Sequence, residues 1–94
     1  MTLKEAITKE IDREIIEDAD GVFIVNSVTQ IIYHVHRLKE FGCNGYNNYD
    51  DIIKGLLEGI NSNEDYCNIL EWEYVDYAYS DEKVIFIYVN REDY

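Results

Sequence analysis

The sequence has no proline, two cysteines, one tryptophan and one methionine, and only eight basic residues among 94. Without proline there is no proline-rich spacer to divide the chain, and its length suits a single domain, 1–94. Cys43 and Cys67 form neither a disulfide framework nor a CxxC pair, so two reduced, packed thiols are expected. No apolar run approaches the ~20 residues that span a bilayer. No charged start followed by an apolar stretch and a small-residue cleavage site marks a signal peptide, so a cytoplasmic protein with no membrane contact is the expectation. The scarcity of Lys and Arg leaves no basic patch, which argues against direct nucleic-acid binding.

What the chain has instead is acid. Twenty Asp and Glu against eight bases give a formal net charge of −12. Such an excess costs a compact domain self-repulsion and offers a strong field to a basic partner. Hydrophobic residues make up 47% of the chain, enough for a packed core and too many for a disordered acidic tail. Nine Tyr and three Phe add side chains suited to both cores and interfaces.

Periodicity points to an α+β fold of three helices with a small sheet that includes a C-terminal β-hairpin. Leu3, Ile7, Ile11 and Ile15 recur at spacing four, so residues 1–20 read as one amphipathic helix with a Thr2/Glu5 capping box. Gly21 then punctuates, and Val22-Phe23-Ile24-Val25 is a buried-strand run. Residues 27–41 carry two readings. Asn26 and Ser27 could turn the chain into a second strand of β-formers. The favoured reading is a helix, from a Ser27/Gln30 capping box, Val28, Ile31, Ile32, Val35, Leu38 and Phe41 at helical spacing, and Gly42 as a stop. Asn48 caps a third helix through Ile60, with Asp50 and Asp51 at its favourable N-terminus. Gly55 and Gly59 weaken that helix or admit a close neighbour.

Residues 71–79 and 84–90 form the hairpin around Asp81-Glu82. Pairing about that turn sets Tyr79 opposite Val84, Tyr77 opposite Phe86 and Val75 opposite Tyr88, with Ala78, Asp76 and Tyr74 facing Ile85, Ile87 and Val89. The last strand, apolar on both faces, suits a central position, and the more polar 71–79 suits an edge.

Enzymatic signatures are missing. His34 and His36 on a helix do not face each other and lack the ligand count of a zinc site. Asp50-Asp51 and Asp81-Glu82 sit in no calcium loop. No serine has a GxSxG setting and no glycine loop cradles phosphate. No metal, cofactor or catalytic residue is expected, and the chain is read as a non-enzyme.

The charge is segregated. Residues 1–20 are net −4, residues 21–42 net +1 and residues 43–94 net −9. In the last segment acids alternate with tyrosines, as carboxylates alternating with rings would in a groove built for phosphates and bases, which Lys and Arg must line.

Through Val22–Val25, the helix reading of 27–41, the loop to Asn48-Tyr49-Asp50, the helix to Ile60 and Leu70-Glu71-Trp72, residues 22–73 resemble barstar-type immunity proteins, acidic inhibitors of bacterial ribonucleases. That resemblance implies that an aromatic loop and the acids opening the next helix enter a nuclease active site. Asn48 and Asp50 match the motif, Tyr46 matches approximately, and Lys54 stands where the family has a key inhibitory Asp. In general character the chain is also similar to phage-encoded anti-CRISPR and other DNA-mimic proteins.

The expected function is thus a non-catalytic inhibitor that fills the basic groove of a nuclease or CRISPR-type effector. The expected contact set is Asp50, Asp51, Glu71, Glu73, Asp76 and Asp81, with Tyr46, Tyr49, Tyr74 and Tyr77 as anchors. The alternative is a homodimeric interaction module whose charge serves solubility.

Overall fold

A computed structural model describes residues 1–38 and 48–91. The N-terminal apolar stripe does not form one helix. α1 (Leu3–Glu5) begins with the expected capping box, in which Thr2 and Glu5 bond reciprocally. A π-turn over Ala6–Glu10 follows, the chain becomes extended at Ile11, and α2 (Arg13–Asp18) starts afresh. Asp12 is the cause: its carboxylate accepts from Glu14 N at 2.9 Å, and a side chain that caps so well favours a new helix start over a helix interior. Both pieces still bury the stripe through Leu3, Ile7, Ile11 and Ile16.

β1 (Gly21–Asn26) follows, with Val22 and Ile24 buried. The helix expected over 27–41 does not form over 27–38, and 39–41 lie outside the described residues: a turn follows β1, and β2 (Ile32–Arg37) returns antiparallel to it. Asn26 decides this locally. Its Oδ1 accepts from Val28 N and Thr29 N, both at 2.8 Å, and Gln30 takes a left-handed conformation instead of completing a capping box. The β-branched run then pairs with β1, which places Tyr33 as the extra residue of a bulge between Ile24 and Val25.

α3 (Tyr49–Asn61) is capped by Asn48, whose Oδ1 accepts from Asp51 N at 3.0 Å, and it buries Ile52, Leu56 and Ile60. A 3-10 turn over Ile69–Glu71 delivers the chain to β3 (Glu73–Tyr79) and β4 (Val84–Asn90). The mixed sheet has the order β2-β1-β4-β3, with β4 central and parallel to β1, and β3 at an edge. Helices cover one face, where Val22, Ile24, Ile85, Ile87 and Val89 join Leu3, Ile7, Ile16, Leu56 and Ile60 in the core.

The hairpin register is one residue from the expected one over most of its length. Tyr79 pairs with Ile85, Ala78 with Phe86, Tyr77 with Ile87 and Asp76 with Tyr88. The turn is longer than expected: Lys83 N bonds to Ser80 O, Ser80 N bonds to Val84 O, and Lys83 adopts φ 63°. This is a three-residue loop with a left-handed third residue. A bulge at Val75 then restores the expected Tyr74–Val89 pair.

Gly59 lets α3 approach β2. A Cβ built there would lie 2.5 Å from His36 Nδ1. Gly59→Ala should therefore lower stability by about 1 kcal/mol, since overpacking of about 1–3 kcal/mol outweighs the helix-propensity gain of up to about 1 kcal/mol. A higher urea midpoint for the variant would contradict this packing.

Candidate partner-binding surface

The second face of the sheet carries no described helix. Alternation along the central strands places Phe23 on β1 and Phe86 and Tyr88 on β4 there, all half-buried. Phe23 and Phe86 meet edge to face at 5.4 Å. Toward β2 the face continues through Val35, opposite Phe23, and Ile32, opposite Val25, which are 51% and 50% exposed. Toward β3 it turns acidic. Asp76 lies opposite Tyr88, Ala78 opposite Phe86, and Glu73 opposite Asn90 at the strand's start. The result is a strip of rings bordered by exposed carboxylates.

The expected contact acids Asp50, Asp51, Glu71, Glu73, Asp76 and Asp81 are all exposed. They do not share one surface. Glu73 and Asp76 border the open sheet face and Asp81 sits in the adjoining hairpin turn. Asp50 and Asp51 occupy the first turn of α3, in the helical layer, and Glu71 lines a separate cleft.

The tyrosines divide differently from expectation. Tyr74 and Tyr77 lie on the helix-covered side, opposite Val89 and Ile87, and pack against the core. Burial, followed by the nearby Asp76 and Glu10 charges, pushes the Tyr74 hydroxyl up to about 12. Tyr49 packs partly into the core beneath the Arg13 guanidinium, 4.8 Å from its ring centre. Tyr46 lies outside the described residues. The ring directly opposite an acid is Tyr88, and Phe86 and Phe23 continue the strip away from it; the sequence pattern marks these rings only as parts of a buried-strand run and of a strand apolar on both faces.

At the opposite end of β3, Tyr79 donates to Asp18 at 2.6 Å, and this hydrogen bond is the main cause that raises its hydroxyl to about 12. Lys83 also pairs with Asp18 at 3.6 Å, so the end of α2 is tied to the hairpin turn.

The strand over 32–37 changes the reading of the histidines. His34 and His36 pair with Ile24 and Val22, so both face the helices, stacked with centroids 6.1 Å apart. Among the described residues no group of three or more His, Cys, Asp or Glu could hold a metal ion. Asn63 Nδ2 donates to His34 Nδ1 at 3.1 Å, which leaves the neutral ring's proton on Nε2. That Nε2 is buried with no hydrogen-bond partner among the described residues. Burial, with His36 as the second cause, holds His34 below the usual histidine range.

A pH dependence follows. The unfolded chain binds the His34 proton near pH 6.5, while the folded chain binds it only at lower pH, so the unfolded state holds more protons between those values. Stability is therefore expected to fall as pH drops below about 6.5. His34→Gln should flatten the difference between urea midpoints at pH 7.5 and 5.5. An unchanged difference would remove His34 as the cause.

No protein-family model, curated protein or solved structure matches the chain. Among the described residues no helix is long and apolar enough to cross a membrane.

Proposed function

We propose that this chain acts without catalysis as an inhibitor of a nucleic-acid-handling protein, a nuclease or CRISPR-type effector. It occupies the target's basic groove and excludes the substrate, as a toxin-immunity or anti-CRISPR protein would. The observation that supports this best is the open sheet face, where Glu73 and Asp76 stand beside Tyr88 and Phe86. A groove that binds nucleic acid offers cations for phosphates and flat surfaces for bases, and this strip presents complements to both. The net charge of −12 adds long-range steering toward such a groove.

The test is affinity capture from a lysate at low salt. A basic nucleic-acid-binding protein should be retained and then released as salt rises. Recovery of no such protein, or a complex indifferent to ionic strength, would overturn the proposal.

A second reading is favoured by the exposure of Val35 and Ile32 on the same face: a homodimer that buries the apolar half of the sheet. Salt separates the two. Two copies at −12 repel, so a dimer tightens as salt rises, whereas a complex with a basic partner loosens. Light scattering across a salt series reads the sign.

A further inference from the structure

A cleft of about 430 Å³ opens beside the 3-10 turn, away from the sheet face, lined by Asp65, Tyr66, Asn68, Glu71, Trp72 and Arg91 among others. Its wall is an aromatic corner. Tyr66 and Trp72 stand 6.0 Å apart at 76°, and Tyr33 braces both edge-on at 5.0 and 4.9 Å. Backbone bonds hold the corner in place: Asn63 Oδ1 accepts from Asp65 N and Tyr66 N, and Trp72 O accepts from Leu3 N at 2.9 Å. Into this corner the chain inserts its own cation. The Arg91 guanidinium lies 5.2 Å from the Tyr66 ring centre and 5.8 Å from that of Trp72.

A preformed aromatic corner with a guanidinium against it, and two exposed carboxylates on the rim, has the chemistry of an arginine pocket. A planar delocalised cation stacks on ring faces, and its fork of donors meets carboxylates, both better than an ammonium can. We infer that this cleft binds an arginine side chain of a basic partner, which replaces Arg91 over Tyr66 and Trp72 and pairs with Asp65 and Glu71. Arg91 is then a resident placeholder that the incoming arginine displaces. This rests on the reading of the chain as a binder of basic proteins and gives that reading a defined anchor point outside the open sheet face.

Trp72 is the chain's only tryptophan, so the cleft carries its own fluorescent reporter. The probe is an amidated hexa-arginine peptide, titrated against the full chain at low salt, with hexa-lysine in parallel. Calorimetry reads total binding and Trp72 emission reads the cleft. Hexa-arginine should change the emission saturably, and hexa-lysine should do so only at higher concentration. Arg91→Ala should tighten the emission-detected affinity by about threefold, because the competing cation is removed. The double variant Asp65→Asn, Glu71→Gln, which alters only exposed groups, should weaken it by about fivefold or more.

Weaker binding by the Arg91→Ala variant, with unchanged circular dichroism, would overturn the placeholder role and with it the inference. Calorimetric binding of hexa-arginine with silent Trp72 emission would also overturn the arginine pocket but leave the acidic-surface proposal standing. No calorimetric binding at all would count against both.

Discussion

Changing Glu73 and Asp76 together to lysine should weaken capture of the basic partner by about 100-fold or more while the chain stays folded. Each reversal replaces attraction with repulsion, and like charges juxtaposed across an interface cost several kcal/mol. About 2.7 kcal/mol already corresponds to the 100-fold loss. The fold should tolerate the change because both side chains are exposed on an edge strand, where substitutions usually move stability by about 0.5 kcal/mol or less. Each reversal adds two charge units, so net charge moves from −12 only to −8, and bulk charge alone does not account for so large a loss. Reversing Asp50 and Asp51 changes net charge equally from the helical layer. It should cost helix stability through the macrodipole, about 0.3–1 kcal/mol per charge, but weaken capture far less. If the Asp50/Asp51 variant loses the partner and the Glu73/Asp76 variant keeps it, the open sheet face is not the contact surface. Surface plasmon resonance on the captured partner measures both.

The second large effect concerns neighbouring residues of β4. Ile87→Ala should destabilise the chain by about 2–5 kcal/mol, because Ile87 is fully buried between sheet and helices and its removal leaves a cavity. Phe86→Ala, one residue away on the opposite face, should cost less than half as much, since the Phe86 ring is half-exposed and packs chiefly on Phe23. Equal losses in urea unfolding would mean that something covers the second face, and the binding strip described here would not be free for a partner.

Two of the chain's helix caps were open to reading from sequence, whereas the Ser27/Gln30 box is not formed and the Asp12 cap was not read. Thr2 with Glu5 and Asn48 with Asp51 are local devices, settled by residues three apart, and the structure contains both. The central place of β4 was also legible, because its apolar run has no polar face to give to an edge. Residues 27–41 were not. Val28, Ile31, Ile32, Val35 and Leu38 fit a helical stripe by spacing, yet Val28 is 82% exposed and Leu38 1%, so the positions share no face. A single side chain, Asn26, tips the competition by turning the backbone at once. With that helix goes one of the elements that carried the resemblance to ribonuclease immunity proteins.

Tyr77 lies on the other face from the expected one for a related reason. A strand's faces alternate with every residue, so the one-residue shift at the Asp81-Glu82-Lys83 loop places Asp76 and Ala78 on the open side instead of Tyr77 and Tyr79. Lys83 gives no sequence sign of a left-handed loop position, which Gly or Asn would have marked. The cleft at Trp72 was invisible for another reason: Tyr33, Tyr66, Trp72 and Arg91 come from four separate stretches of chain, and only the folded sheet brings them together.

The central claim is that this acidic chain and a nucleic acid compete for one groove. The most direct measurement is displacement: the captured partner is bound to a fluorescently labelled nucleic acid that it recognises, and the chain is titrated in while anisotropy is followed. The account predicts full, salt-sensitive release of the labelled nucleic acid by the native chain and little release by the Glu73→Lys, Asp76→Lys variant at the same concentration. A stable ternary complex, with the nucleic acid still bound while the chain is bound, would contradict it.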